Sequence, residues 1–370
     1  MTTFDWHILK RLTLGYVLMV GLLILFFIVL HYVESIDDFL DRGAEMKAVF
    51  TVYYPNYIPD IVRQISPLAL FLTAIYVTAK LSQTLQLSAL NAGGVSLMRL
   101  MRPYALAGLL LTGFMFWFNG WIVPHTNQVY LTFEDQYLKK SSSQLDRSEL
   151  HRQNAPRSFV TVGYYNDNND TATRVSLQTF SEDNELMSRY DAEQMRWNDS
   201  LRIWQLEKVV YRAWPLEAVE DRDFSQGSWP VVREIAQLDT ALNVLPSFFA
   251  RTENDVDKMN IPEAAFHVEQ LRLVGASDMG KPTVDYYKKF SYPLANLILV
   301  FIGVALASKR RRGGQTVQIG LGLAVAFVYL ALMLLTEPFG YAGTLSPLLT
   351  AVLPHAVFAV FALLLVFRSR

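Results

Sequence analysis

The sequence predicts an α-helical membrane protein with six transmembrane helices, three on either side of an inserted all-β domain. Three observations lead there. Of the 370 residues, 52% are hydrophobic and only 18% charged, against about a quarter charged in an ordinary soluble chain. The apolar residues gather in runs of about twenty, the length a helix needs to cross a hydrocarbon core about 30 Å thick. The charge is also segregated: between His125 and Thr283 stand 25 Asp and Glu against 17 Lys and Arg, although the whole chain has a net charge of −1. An acidic, polar block therefore interrupts a basic, apolar remainder. With no cysteine in the chain, a disulfide framework, a thiolate zinc site, an iron–sulfur cluster and a cysteine nucleophile are all excluded.

Six runs define the spans. The first, Leu12–Val33, follows Lys10 and Arg11. It is too long for the core of a signal peptide and no small-residue cleavage site follows it, so a retained helix is expected. The others are 59–79, 98–123, 286–307, 317–338 and 346–367, the last two separated by a tight hairpin at Gly340, Gly343 and Pro347. The expected domains are 1–124 for the first three helices, 125–283 for the insert and 284–370 for the last three.

Orientation follows from Lys and Arg, which are retained on the cytoplasmic side of short loops. Lys10, Arg11, Lys80, Arg99, Arg102, Lys309, Arg310, Arg311, Arg312, Arg368 and Arg370 fall on one side, with only Asp5 among the acids. The loop on the other side is acidic, with Glu34, Asp37, Asp38, Asp41, Glu45 and Asp60 outnumbering Arg42 and Lys47. Both termini are therefore expected in the cytoplasm and the insert outside.

Within the insert the period changes to that of strands. Phe159–Val162 and Arg174–Leu177 are β-branched runs around the turn-rich stretch Asn166–Asp170, and Met187–Trp197 and Leu201–Trp214 flank a two-residue hairpin signal, Asn198-Asp199. In the last of these strands Leu201, Ile203, Gln205, Glu207 and Val209 share one face, and Trp204, Leu206, Lys208 and Val210 the other. Neither face is cleanly polar. Tryptophans 197, 204, 214 and 229 supply large apolar surface, read first as core packing and second as a groove for acyl chains. The acidic turn lacks the glycine and terminal glutamate of a calcium loop. Residues 245–273 are expected to be partly helical on the way back to the membrane.

Catalytic signatures are missing. Gly275–Lys281 has the Gly-x4-Gly-Lys spacing of a phosphate loop, but Pro282 follows where Ser or Thr is required. No H-E-x-x-H or G-x-S-x-G is present. The six histidines are scattered, and His31 and His355 near span ends are read as interfacial. No span has a charged residue near its middle, which argues against an ion-coupled carrier. Neither a catalytic residue nor a cofactor nor a metal is expected.

The segment that looks functional joins the second and third spans. Residues 81–92 read as a short amphipathic helix, with Leu81, Leu85 and Ala89 at i, i+4 spacing and Leu87 and Asn91 likewise. Gly93-Gly94 would cap it and Ser96 would open the next helix. A helix on the membrane surface and a docking point for a separate ATPase fit the pattern equally.

At these residues the chain resembles the LptF/LptG permeases of lipopolysaccharide export, also called the YjgP/YjgQ family. Four stretches carry the resemblance: 4–10 before the first span, 87–96 at the surface helix and its turn, 121–124 at the exit of the third span, and 287–295 in the fourth, followed by Gly303 and the basic loop at 309–312. It covers essentially the whole chain. The resemblance implies a periplasmic β-jellyroll, a second LptF/LptG-type permease, two copies of an LptB-type ATPase, LptC/LptA-type jellyroll proteins and lipopolysaccharide as partners, with no nucleic acid. It also implies residence in the inner membrane of a Gram-negative bacterium. Leu85, Gln86, Leu87, Leu90, Asn91 and Gly93 become the ATPase-coupling residues, although the family usually carries a glutamate where this chain has Gln86. Anionic headgroups call for cations near the outer face, where Arg42, Arg63, Lys288 and Lys289 are available, Lys289 matching a family lysine. The rival expectation is a membrane scaffold whose outer domain binds a partner and whose surface helix relays the event without moving lipid.

Overall fold

The computed structural model describes residues 2–138, 148–166, 169–214, 231–246, 249, 255–273, 279–309 and 313–368. Trp229, Arg310 to Arg312, Arg370, Asp167, Asn168 and most of the phosphate-loop-like stretch at 275–281 lie outside these residues. The chain divides into a helical unit, Met1–Leu138 with Val256–Ala265 and Gly280–Arg370, and a second unit, Lys139–Asp255 with Phe266–Met279.

In the helical unit, α1 (Thr3–Asp41) starts at a capping box in which Thr2 and Asp5 satisfy each other's backbone N–H. It is followed by α2 (Met46–Gln83), α3 (Gln86–Ala92), α4 (Leu97–Tyr137) and, after the insert, α5 (Ile261–Leu273), whose residues from Phe266 on belong to the second unit. Then come α6 (Gly280–Ser291), α7 (Leu294–Ala307), α8 (Gly314–Tyr341) and α9 (Pro347–Arg368). Five of these (α1, α2, α4, α8 and α9) are long and apolar enough to cross a membrane, and α6 with α7 makes a sixth span bent by 53°. The fourth span is thus broken where the sequence reads as one run, because Pro293 has no N–H for the helical ladder.

α2 is the hub of this unit, with most of its apolar stretch buried, whereas α1 keeps nearly all of its apolar surface exposed. Close packing is specific: a Cβ on Gly108 of α4 would stand 2.9 Å from Val300 Cγ1 and 3.1 Å from Leu297 Cδ1 of α7. Several polar groups inside the spans pair with one another, as the lack of water there favours. Tyr16 and Ser66 lie 2.9 Å apart, and Ser66 donates to Asn296 Oδ1 at 2.9 Å, joining α1, α2 and α7. Thr78 donates to Tyr104 at 2.9 Å. His355, read as interfacial, is instead buried and lies 3.0 Å from the Tyr329 hydroxyl. His31 likewise sits among Tyr53, Tyr54 and Tyr57, with Tyr53 Oη 3.2 Å from its Nε2 and donating to Glu134 at 2.6 Å.

The second unit is one antiparallel meander of β1 (Ser148–Ala155), β2 (Ser158–Asn166), β3 (Thr171–Phe180), β4 (Leu186–Asn198), β5 (Ile203–Ala213) and β6 (Val231–Thr240), each paired with its sequence neighbour. β4 and β5 are joined by four residues rather than two: Asn198 pairs with Ile203, its side chain accepts from the N–H groups of Ser200 and Leu201, and Arg202 is left-handed at φ +53°. Trp204 is wholly buried and donates through Nε1 to the Val244 carbonyl at 2.7 Å. Its ring meets Trp197 and Phe249 edge-on, so tryptophan serves the core, as first read. Burial, and after it the Tyr211 phenol alongside, raises Tyr190 above the ordinary tyrosine pKa.

A transverse row crosses this sheet. Gly163 of β2, Arg174 of β3, Glu193 of β4, Lys208 of β5 and Ala236 of β6 stand opposite one another, each between ordinary bridge pairs. Inward pointing changes phase there: Val160 and Val162 face the core before the row and Tyr165 after it; Val175 before and Ala172 after; Ala192 before and Met195 after; Val209 before and Trp204 and Leu206 after. Arg174 and Lys208 hold φ values of +54° and +51°. The two mixed faces read for β5 are therefore one apolar face whose phase slips at Lys208.

Candidate functional site

Two places in the helical unit present polar chemistry beyond what packing needs. The first is the link between α2 and α4. α2 ends at Gln83, and Leu81, read as part of the surface helix, is a buried residue of α2 instead. Thr84 closes the last turn, with its N–H and hydroxyl both donating to the Lys80 carbonyl at 3.1 and 2.9 Å. Leu85 then turns the chain at φ +62°, a conformation in which a Cβ crowds the backbone.

α3 follows. Leu87 is buried and Leu90 partly so, and both belong to one apolar cluster with Ile8 and Leu12 of α1, Leu81 of α2, and Leu100 and Met101 of α4. Gln86, Ser88, Ala89 and Asn91 are exposed on the other side. The predicted glycine stop takes a definite form. Val95 N–H donates to the Leu90 carbonyl and Gly94 N–H to the Asn91 carbonyl, both at 3.0 Å, with Gly94 left-handed at φ +82°. Ser96 Oγ accepts the Arg99 N–H at 3.4 Å, as predicted. Arg99 pairs with Asp5 at 3.0 Å, which ties the start of α4 to the start of α1. Thus Leu85, Gln86, Leu87, Leu90, Asn91 and Gly93 form one compact turn–helix–turn with an apolar base and a polar outer face.

The second place holds three of the four predicted cations. Arg63 lies 2.6 Å from Asp60 and 3.6 Å from Asp257. Lys288 lies 3.2 Å from Asp285 and 2.9 Å from Glu337, and donates to the Tyr341 hydroxyl at 2.9 Å. Lys289 is only 3% exposed, yet its ammonium has no ion pair or hydrogen bond among the described residues. Beside it, Asn119 donates to the Lys289 carbonyl at 3.1 Å, while Asn119 Oδ1 and Ser291 Oγ are buried without partners. Arg42 is not part of this group; it caps α1, its N–H donating to the Asp38 carbonyl at 3.3 Å.

Sequence reasoning missed the acids that hold these cations. Asp60 and Arg63, and Asp285 and Lys288, are i, i+3 pairs that a helical reading exposes. Asp257 and Glu337 come from distant segments and left no local signal. The segment carrying Asp257 is fixed to α4, where Asn127 and Gln128 donate to the carbonyls of Asp257 and Lys258 at 3.0 and 2.8 Å. No cluster able to hold a metal ion occurs among the described residues.

Set beside known proteins, residues 6–368 match the family described as lipopolysaccharide export system permease LptF/LptG. Two curated relatives are similar: the lipopolysaccharide export system permease protein LptG of Escherichia coli strain K12 and its counterpart in E. coli O6:H1 strain CFT073. Each is 20% identical over 328 residues, which covers 88% of this chain and 86% of the relative.

Proposed function

This chain belongs to the LptF/LptG family of lipopolysaccharide export permeases, and from that premise we propose that it is the non-catalytic membrane subunit of an ATP-driven exporter. In this reading it takes lipopolysaccharide from the outer leaflet of the inner membrane. A second permease of the same family stands beside it, two LptB-type ATPases dock below, and LptC/LptA-type jellyroll proteins receive the lipid above. Both termini and α3 face the cytoplasm, and the β unit lies in the periplasm as the first station of the bridge.

The observation that carries this reading is the mounting of α3. Its polar face is exposed, its apolar base joins a cluster shared by α1, α2 and α4, and it is linked at its two ends to spans α2 and α4. A push on Gln86, Ser88 and Asn91 is thereby delivered to two spans rather than absorbed in a loop. External work is needed, since drawing an acyl chain from hydrocarbon costs about 0.8 kcal/mol per methylene. A lipid with several chains exceeds what binding alone returns.

Of the four cations, Lys289 is best placed to meet a headgroup phosphate. Arg63 and Lys288 already have carboxylates, whereas Lys289 is a buried residue with no ion pair among the described residues, and such a cation readily accepts an anion. Arg42 remains a peripheral candidate.

Photo-crosslinking residues placed along α1 and α8 test the reading. Capture of lipopolysaccharide there, increased by ATP turnover, is the expected result. Capture of bulk phospholipid alone would favour the scaffold.

A further inference from the structure

We propose that the transverse row Gly163–Arg174–Glu193–Lys208–Ala236 is a hinge line along which the two halves of the β sheet flex. The row runs through five of the sheet's six strands. A bulge in one strand re-aims one side chain, but here the inward phase changes in five adjacent strands at one level, and ordinary bridge pairing resumes on both sides. The sheet is thus two continuous half-sheets joined by one residue per strand. Hinges of folded proteins are built from a few such residues that absorb changes in φ and ψ.

Local chemistry agrees. Arg174 and Lys208 are left-handed, a conformation that crowds a Cβ, so the strain of the phase change is held in the row itself. Gly163 has no side chain because Arg174 occupies its place: a Cβ there would lie 2.7 Å from Arg174 Nε and 2.9 Å from Arg174 Cβ. Glu193 and Lys208 pair across the row at its exposed surface, so the line carries charge where solvent can relax around it.

The two halves also differ in cover, which gives a hinge something to move. On one side Tyr165, Met195, Trp204 and Leu206 lie under Val244 and Phe249. On the other, Val160 and Val162 of β2 stay buried, while along β3 to β5 burial fades outward from Val175, Ala192 and Val209 to the half-buried pair Tyr190 and Tyr211, whose rings lie 4.5 Å apart. The first half is therefore the more closely covered, and the β3–β5 end of the second is the less anchored.

The chain has no cysteine, so paired spin labels can be placed in the full-length protein in nanodiscs without background. Thr179→Cys with Ser200→Cys reports across the line, and Tyr164→Cys with Gln237→Cys reports within the more closely covered half. The hinge predicts a broad or two-component distance distribution for the first pair and a narrow one for the second. Equal, narrow distributions would overturn it. A second measurement checks the backbone itself. Lys208→Gly and Lys208→Val both remove the ammonium, so their difference reads conformation alone. Glycine should melt several degrees above valine, because a β-branched residue resists φ near +51°. Valine melting at or above glycine would show that residue 208 is ordinary strand and would remove the hinge.

Discussion

Asn119 donates its side-chain amide to the Lys289 carbonyl at 3.1 Å, and the reason lies four residues further on. In a continuous helix that carbonyl would receive the N–H of residue 293, but residue 293 is proline. α4 thus supplies the donor that the broken fourth span lacks, and it does so from the π-helical turn Phe118–Ile122. Asn119→Leu should cost about 1–2 kcal/mol, read as a lower melting temperature in nanodiscs, because a buried carbonyl is left unpaired. In a Pro293→Ala background, where the helical N–H returns, the same change should cost less. Equal losses in both backgrounds would separate the two residues.

Lys289 and Arg63 should behave differently when neutralised. Lys289→Met removes a charge from a buried residue that has no ion pair among the described residues, so folding should be unchanged or slightly improved while lipid-stimulated ATP hydrolysis falls. Arg63→Gln leaves the buried carboxylate of Asp60 without its cation and should lower stability first. If Lys289→Met retains full lipid stimulation, the headgroup contact is elsewhere.

At the surface helix, stability and coupling should part company. Leu85→Gly relieves a left-handed leucine and should stabilise the protein by about 1 kcal/mol. Leu87→Asp drives a charge into the base of α3 and should abolish co-purification of the ATPase while the rest of the chain stays folded. Retained ATPase binding by the aspartate variant would remove α3 from the interface.

Trp204→Phe keeps the ring's bulk but strands the Val244 carbonyl, for a loss of about 1–2 kcal/mol, whereas Trp204→Ala adds a cavity and should cost about 3–5 kcal/mol. Thermal melts of the two variants rank these terms.

What the sequence disclosed and what it hid follow from the range of each signal. Hydropathy and the glycine stop are local, so six spans and the end of α3 were legible at Gly93-Gly94. The start of α3 was not, because nothing in Thr84-Leu85 announces a left-handed leucine and the apolar spacing runs straight through from Leu81. Period-2 reading failed at Lys208 for the same reason: a phase slip needs one residue out of β conformation, and lysine gives no sign of it. His355 was read as interfacial although it stands near the middle of the run 346–367, and its partner Tyr329 is in another helix. The ion pairs to Asp257 and Glu337 were illegible because they join segments far apart in the chain, whereas Asp60 with Arg63 was visible in principle.

The central claim is that α3 couples a separate ATPase to lipid extraction, and purification of the tagged full-length protein in mild detergent, with mass spectrometry of bound chains and lipids, tests it most directly. Coupling through α3 requires an ABC-type ATPase, a second six-span permease and lipopolysaccharide in the same complex, with the ATPase lost from the Leu87→Asp variant. Recovery of the chain alone, with no ATPase and only bulk phospholipid, would contradict it.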